Sequence, residues 1–201
     1  MRLNLGFLAS HNGSSMRAIV KAAEEERLDA DAAVVISNNA DSPALAFARE
    51  HDIPAYHLSA RKLGGEFECD REIASTLSEH KADLVILSGY MRKLGPEVLA
   101  RYRGRILNIH PGPLPKFGGQ GMYGKHVHDA VVAAGETVSG ITIHLVDEQY
   151  DQGPVVARKD IAVEKGDTGE KLGARIQAQE PEFFVATLQQ IVSGKLALPR
   201  I

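Results

Sequence analysis

Several features that mark other classes of protein are absent from this sequence. The 201 residues include one cysteine, Cys69, so no disulfide can form within the chain, and this usage fits the cytosol. No apolar run approaches the roughly 20 residues of a membrane-spanning helix, and the apolar stretch after Met1 is too short for a secretory signal. The formal net charge of -3 gives no general attraction to nucleic acid or anionic lipid. We therefore expect a cytoplasmic protein whose partners are small molecules or proteins, not nucleic acid or a membrane.

The composition is typical of one globular domain. The chain is 44% hydrophobic and 24% charged, which supplies a substantial core but leaves little room for two independent domains. No internal repeat, low-complexity tract or linker divides it. We predict a single domain over residues 1–201.

Apolar runs of strand length alternate with segments of helical period over the first half of the chain. The predicted strands cover residues 3–9, 32–37, 55–58, 83–88 and 105–109. The predicted helices cover residues 16–23, which precede a charged run at 24–27, and residues 42–51 and 66–80, with a short one from Pro96. This order is typical of βαβ units around a mostly parallel, twisted sheet with helices on both faces.

The second half of the chain has a different pattern. Residues 139–146 and 155–163 alternate apolar and polar side chains, which indicates less buried or antiparallel strands. One long helix is predicted over residues 168–193, capped by Asp167. The predicted fold is thus Rossmann-like α/β, with antiparallel strands toward the C-terminus. Ligands bind such sheets at the carboxyl ends of strands, so the segments after the first, fourth and fifth strands should converge on one cleft.

The loop between the first strand and the first helix is a candidate anion site. It contains Asn12, Gly13, Ser14 and Ser15. Backbone N–H groups at a helix start favour a phosphate, and glycine permits its close approach. The spacing matches neither GxGxxG nor GxxxxGK[ST], so a dinucleotide or nucleoside triphosphate has little support. An ordinary serine-capped helix start explains the same residues, and on this loop alone it is the favoured interpretation.

A second candidate site follows the fifth strand. Asn108 and His110 are two residues apart, so their side chains share one side of an extended strand. Acyl transfer to an amine passes through an oxyanion and needs a proton moved from nitrogen, which an amide and an imidazole can serve. Asp151, on a loop after a later strand, could orient or charge the imidazole. Taken singly, these residues are better explained by a structural role: Asn108 and His110 would satisfy backbone groups at a strand end, and Asp151 would belong to a solvated turn.

Three further histidines could suggest a metal site. His126 and His128 are two residues apart and do not face together on a helix, so surface and core positions are the favoured interpretation. His144, on an alternating strand, could line the cleft or be a buried, hydrogen-bonded core residue. We predict no metal.

Taken together and in order, these segments resemble the phosphoribosylglycinamide formyltransferase family of folate-dependent enzymes. The resemblance spans nearly the whole chain, and Asn-x-His-Pro with a downstream Asp-x-Gly is its most specific part. The matching segments are Asn-Gly-Ser-Ser at 12–15, Gly-Tyr-Met-Arg-Lys-Leu at 89–94, Leu-Asn-Ile-His-Pro at 107–111, Leu-Pro-Lys-Phe at 114–117, Gly-Ile-Thr-Ile-His at 140–144 and Asp-Gln-Gly-Pro at 151–154.

The resemblance implies a role for each part of the site. Asn108 would polarise the formyl oxygen, protonated His110 would act in proton transfer and oxyanion stabilisation, and Asp151 would raise the imidazole pKa. The residues implied in binding the acceptor's phosphate and ribose are Asn12, Gly13, Ser14, Ser15, Gln177 and Glu180. The residues implied in binding folate are Met91, Arg92, Lys93, Leu94, Asn108, Asp147, Glu148, Gln149, Tyr150 and Asp151.

The implied activity is transfer of the formyl group of 10-formyltetrahydrofolate, a co-substrate, to glycinamide ribonucleotide in purine biosynthesis, by a monomer or homodimer. Alternatives are a related enzyme with an amino-sugar acceptor, a formyltetrahydrofolate hydrolase, or a non-catalytic folate or phosphate-binding module. We expect no amino-terminal regulatory domain, which argues against the hydrolase, and no carboxy-terminal domain like that of methionyl-tRNA formyltransferase. It departs from the family at His11, Ser15 and Tyr150, and in a glycine-rich segment over residues 118–124.

Overall fold

The computed structural model describes residues 2–199, which form one seven-stranded sheet flanked by helices. The strands are β1 (Leu3–Leu8), β2 (Ala30–Ser37), β3 (Ala55–His57), β4 (Leu84–Leu87), β5 (Ile106–His110), β6 (Val138–Leu145) and β7 (Val155–Ala162). The helices are α1 (Ser14–Glu24), α2 (Pro43–Glu50), α3 (Ala60–Leu63), α4 (Glu66–Glu79), α5 (Pro96–Arg101), α6 (Lys125–Ala133), α7 (Gly169–Gln177) and α8 (Glu180–Val192).

The sheet order is β3-β2-β1-β4-β5-β6-β7. The first five strands pair in parallel, whereas β5 with β6 and β6 with β7 pair antiparallel. The predicted fold class is therefore confirmed, including the change of strand direction toward the C-terminus. Reversal of strand order between β1 and β4 creates the switch point at which α/β sheets bind ligands, and β5 lies next to it.

Apolar side chains fill three clusters around the sheet. On one face, Phe7 and Leu107 pack with Phe184 of α8. Val85 belongs to a second cluster, which α4 and α5 cover, and Val127 of α6 belongs to a third cluster with α7.

The C-terminal helical region differs from the prediction. The single helix expected over residues 168–193 is two helices, α7 and α8. Pro181 lies in the first turn of α8, where its missing N–H costs nothing, but in a continuous helix it could not donate to Gln177. The cap of α7 is Thr168, whose Oγ1 accepts from the Lys171 N–H at 3.3 Å. Asp167, predicted as the cap, instead binds the guanidinium of Arg175 at 2.8 and 2.9 Å.

Among residues 2–199, none of the helices combines the length and apolar character needed to span a bilayer. The prediction of a domain over residues 1–201 extends at its ends to Met1, Arg200 and Ile201, which lie outside the described residues.

Candidate active site

The structure brings the three predicted catalytic side chains together. Asn108 and His110 alternate along β5, opposite His144 and Thr142 of the antiparallel neighbour β6. Asp151 lies in the turn between β6 and β7 and reaches back over the end of β5. The antiparallel β5–β6 pair thus places residues far apart in sequence on one side of the sheet.

His110 is almost fully buried and makes two polar contacts. Its Nε2–H donates to the carbonyl oxygen of Phe117 at 2.7 Å. Its Nδ1 faces Oδ2 of Asp151 at 3.6 Å, which is too long for a direct hydrogen bond. The carbonyl therefore sets the tautomer and leaves the Nδ1 lone pair beside a carboxylate.

Asp151 adopts a backbone conformation that is uncommon for residues other than glycine, with φ of 58°. The other three such residues described, Glu26, Asp52 and Lys81, each lie two positions after the last residue of a helix. Strained backbone at a turn between strands is a feature of functional sites. Here it aims the carboxylate at two histidines: Oδ1 lies 3.5 Å from Nε2 of His144, while Oδ2 accepts from the Gly119 N–H at 2.9 Å.

Burial and neighbouring charges set the protonation states of this pair. Burial lowers the pKa of His110 below its ordinary 6.5, and Asp151 and the Phe117 carbonyl oppose this without cancelling it. Burial raises the pKa of Asp151, but His144, the Gly119 N–H and His110 together bring that pKa below its ordinary value. At neutral pH the resting pair is thus a neutral imidazole beside an ionised carboxylate. The proton that the resemblance assigns to His110 has to arrive during the reaction.

His144 orients Asn108. The Nδ1–H of His144 donates to the carbonyl oxygen of Leu145 at 2.9 Å, so its Nε2 can accept from the Asn108 amide, 3.1 Å away. One hydrogen of the Asn108 amide is thus used internally, and the other is available for an oxyanion. Of the two interpretations left open for His144, the structure supports the buried, hydrogen-bonded residue: its side chain is 2% exposed and contacts Asn108 and Asp151.

The predicted anion loop begins α1. Gly13, in the left-handed region at φ 63°, occupies the N-cap position, so the loop itself supplies no side-chain cap, and the Met16 N–H donates instead to the hydroxyl of Ser88 at 3.0 Å. The alternative of a cap by a serine of this loop is therefore wrong. Ser14 is exposed and Ser15 is buried, with 2% of its surface accessible. A helix start with glycine at its N-cap, which has no side chain to cover the first N–H groups, is the geometry expected of a backbone anion site, and Asn12 beside it is exposed.

The two residues predicted to contact ribose lie at the junction of α7 and α8. Gln177 ends α7 and is exposed, whereas Glu180 begins α8 and is half-buried. Burial raises the pKa of Glu180 to about 7. Its carboxyl is thus poised to change charge near neutral pH.

Part of each predicted folate segment, Lys93 from the first and residues 148–150 from the second, lines an open cavity of about 530 Å³. Lys93 contributes from one side, Tyr150 from the other, and Gly119 from the glycine-rich segment. The Lys93 Nζ lies 5.9 Å from the centre of the Tyr150 ring. Met91 and Arg92 are exposed and Leu94 is buried. The remaining residues of the second segment are Asp147, half-buried, and Glu148 and Gln149, both exposed.

The other histidines do not form a metal centre in the described part of the chain, where no group of three or more histidine, cysteine, aspartate or glutamate residues could hold an ion. His126 is exposed and His128 is buried, as the favoured interpretation expected.

Sequence reasoning missed the backbone partners of the site. The carbonyl of Phe117 and the N–H of Gly119 fix His110 and Asp151, but every residue carries such groups, so no sequence signal marks them. Gly118 gives a weaker signal: a Cβ at this position would collide with the side chain of Leu114 and approach that of Asp151.

Comparison with known proteins identifies the family. The family model described as "Formyl transferase" matches residues 3–188. The phosphoribosylglycinamide formyltransferase of Escherichia coli is 32% identical over 196 residues, covering 98% of this chain and 90% of the relative. The chloroplastic enzyme of that name from Vigna unguiculata is 34% identical over 97% of this chain, which spans only 62% of that longer protein.

A solved structure agrees with the sequence comparisons. The crystal structure of glycinamide ribonucleotide transformylase 1 from Symbiobacterium toebii superposes with a TM-score of 0.89 at 32% identity, covering 98% of this chain and 91% of the other. This chain therefore belongs to the formyl transferase family, in its phosphoribosylglycinamide formyltransferase branch.

Proposed function

We propose that this protein transfers the formyl group of 10-formyltetrahydrofolate to the amine of glycinamide ribonucleotide, a step of purine biosynthesis. The observation that carries the proposal is the meeting of Asn108, His110 and Asp151 beside a cavity that parts of the predicted folate segments line. The names of the relatives supply the acceptor and the transferred formyl group, and membership of the formyl transferase family supplies 10-formyltetrahydrofolate as the co-substrate.

The residues divide the chemistry among them. Asn108 donates its free amide hydrogen to the oxygen of the formyl group, which becomes negative when the acceptor amine adds to the carbon. The Nδ1 of neutral His110 takes one proton from the attacking nitrogen, and ionised Asp151 stabilises the imidazolium that results. His110 then returns the proton to N10 of the folate as the carbon–nitrogen bond breaks, giving tetrahydrofolate and the formylated amine.

We assign the binding roles in the same terms. Backbone N–H groups at residues 13–15 bind the acceptor's phosphate, and Gln177 and Glu180 bind its ribose. Residues 91–94 and 147–151 bind the pterin ring of the folate through backbone groups. We further propose that residues 1–201 act as one formyltransferase domain in the cytoplasm, as a monomer or homodimer, on small molecules and not on nucleic acid or membranes.

Turnover of purified protein tests the activity. Release of tetrahydrofolate from 10-formyltetrahydrofolate is followed spectroscopically with glycinamide ribonucleotide, with an amino sugar, or with no acceptor. We expect release only with the ribonucleotide, and a loss of about 10²-fold or more in Asn108→Ala. Release without acceptor would point instead to a hydrolase, and release only with the amino sugar to a different acceptor. An Asn108→Ala protein equal to the parent would contradict catalysis at this site.

A further inference from the structure

The side chain of Ser10 joins the loop after β1 to the segment after β4. Ser10 is buried, with 1% of its surface exposed. Its hydroxyl accepts from the Met91 N–H at 2.7 Å and donates to Oδ1 of Asn38 at 2.6 Å. The hydroxyl thus uses its one hydrogen and a lone pair in two short bonds. Through the first of these bonds the loop between β1 and α1, here called the acceptor loop, contacts Met91 at the start of residues 91–94, here called the folate segment.

A ring of side chains fixes the direction of the Ser10 hydroxyl. The Asn38 amide donates to Oδ1 of Asn39 at 3.0 Å, and the Asn39 amide donates to the carbonyl oxygen of Ser10 at 2.6 Å. Ser10, Asn38 and Asn39 thus form a closed ring in which each residue accepts a hydrogen bond from its neighbour. Such closed networks are stiffer than isolated hydrogen bonds. The Ser10 hydroxyl therefore has one orientation, the one that receives Met91.

Two more hydrogen bonds cross the same junction. The Ser10 N–H donates to the carbonyl oxygen of Gly89 at 3.1 Å. The Met16 N–H, in the first turn of α1, donates to the hydroxyl of Ser88 at 3.0 Å. The β1–α1 loop is thus bonded to the end of β4 on both sides of the switch point, whereas only the Ser10 hydroxyl reaches onward to Met91 in this set.

We propose that Ser10 is a positioning residue that couples binding of the phosphorylated acceptor to binding of the folate. This rests on the proposed function, which places the phosphate at residues 13–15 and the pterin against residues 91–94. When the acceptor binds and orders the loop between β1 and α1, the Ser10 hydroxyl also orders Met91. The folate then binds to a segment that is already ordered. Coupling of this kind is reciprocal, and each substrate tightens the other by the same factor.

The far end of the folate segment has a separate support, which provides a matched control. Buried Asp70, on α4, accepts from the Glu97 N–H at 2.7 Å and from the Val98 N–H at 3.3 Å at the start of α5. Its carboxylate also lies against Gly95, where a Cβ would collide with it. Asp70 supports the folate segment from α4, not from the acceptor loop. Asp70→Asn therefore perturbs folate binding without interrupting the Ser10 connection.

Calorimetric titration measures the coupling without turnover. Tetrahydrofolate, the product, is titrated into the protein with and without saturating glycinamide ribonucleotide, and the ratio of the two Kd values is the coupling factor. We expect a factor of about five to ten in the parent. In Ser10→Ala, and in Asn38→Ala, which leaves the hydroxyl without its acceptor, we expect a factor below about two. In Asp70→Asn both Kd values rise and their ratio is kept.

The outcomes separate two failures. If the parent binds both ligands with a coupling factor of one, or if Ser10→Ala keeps the parental factor, Ser10 does not couple the sites and the proposed function is untouched. If the parent binds neither ligand, the proposed function fails and the coupling with it. Equal loss of the factor in Asp70→Asn would assign the effect to general loosening of the segment, which overturns the role of Ser10.

Discussion

At the scale of single residues, the protonation state of His110 governs the proposed chemistry. His110 has to be neutral to take a proton, so activity should fall as the pH drops through its pKa, which lies below 6.5. The negative charge of Asp151 raises that pKa, so Asp151→Asn should move the acidic limb of kcat/KM to still lower pH. It should also lower kcat by roughly 10²-fold, since the imidazolium loses its counter-charge.

The pH dependence of kcat/KM between pH 5 and 8 checks both effects of Asp151→Asn. Asp160→Asn, at an exposed position of β7, is the matched control and should retain the parental profile. The assignment would be contradicted if the acidic fall of kcat/KM in the parent were centred at or above pH 6.5, or if this fall moved to higher pH in Asp151→Asn.

Glu180 should make the folded state less stable as the pH rises. Its pKa of about 7 in the folded chain lies above the ordinary 4.5. The folded state therefore binds more protons between these values, and stability falls across this window. Because the side chain is half-buried, we expect Glu180→Gln to raise the free energy of unfolding at pH 8 by only about 1–2 kcal/mol, and to change it little at pH 4. Urea unfolding at both pH values measures this, and equal effects would show that burial does not perturb the carboxyl.

At the scale of elements, the glycine-rich segment before α6 has to pass close to Asp151. Gly118→Ala would press a Cβ against Leu114 and to 2.9 Å from the Asp151 Cβ, so we expect kcat to fall about 10- to 100-fold with folding retained. Gly121→Ala, in the same segment, has open space around its Cβ and only local backbone strain of about 1–2 kcal/mol. Steady-state kinetics of the two variants separate crowding of the site from strain. An equal loss in both would contradict a steric role for Gly118.

Elements with strong local signals could be predicted, and those decided by tertiary contact could not. Apolar runs in the sequence predict the buried strands β1, β4 and β5. The alternation of side-chain direction along β5 places Asn108 and His110 on one side of the strand. The division between α7 and α8 was missed because the apolar stripe continues across it, although Pro181 marks a helix start. The bond from Met91 to Ser10 spans 81 positions and depends on the sheet order, which no local pattern contains.

At the scale of the whole molecule, stability depends on the helices that cover the sheet. Phe184 of α8 is fully buried against the core that includes Phe7 and Leu107. Phe184→Ala should lower the free energy of unfolding by about 3–5 kcal/mol, which is a large part of the 5–15 kcal/mol typical of a domain. Phe67→Ala, at a side chain 55% exposed, is the control and should cost less than about 1 kcal/mol. Chemical denaturation of both variants measures the difference, and similar costs would contradict this account of the core.

The fold brings Asn108, His110 and Asp151 together in one site. A double-mutant cycle tests whether His110 and Asp151 act there as a unit. Formyl transfer from 10-formyltetrahydrofolate to glycinamide ribonucleotide is measured in single turnover for the parent, His110→Ala, Asp151→Asn and the double variant. Because Asp151 is proposed to act through the imidazole of His110, the double variant should be no slower than His110→Ala alone. Losses that multiply would show that the two side chains work independently and would contradict the proposed mechanism.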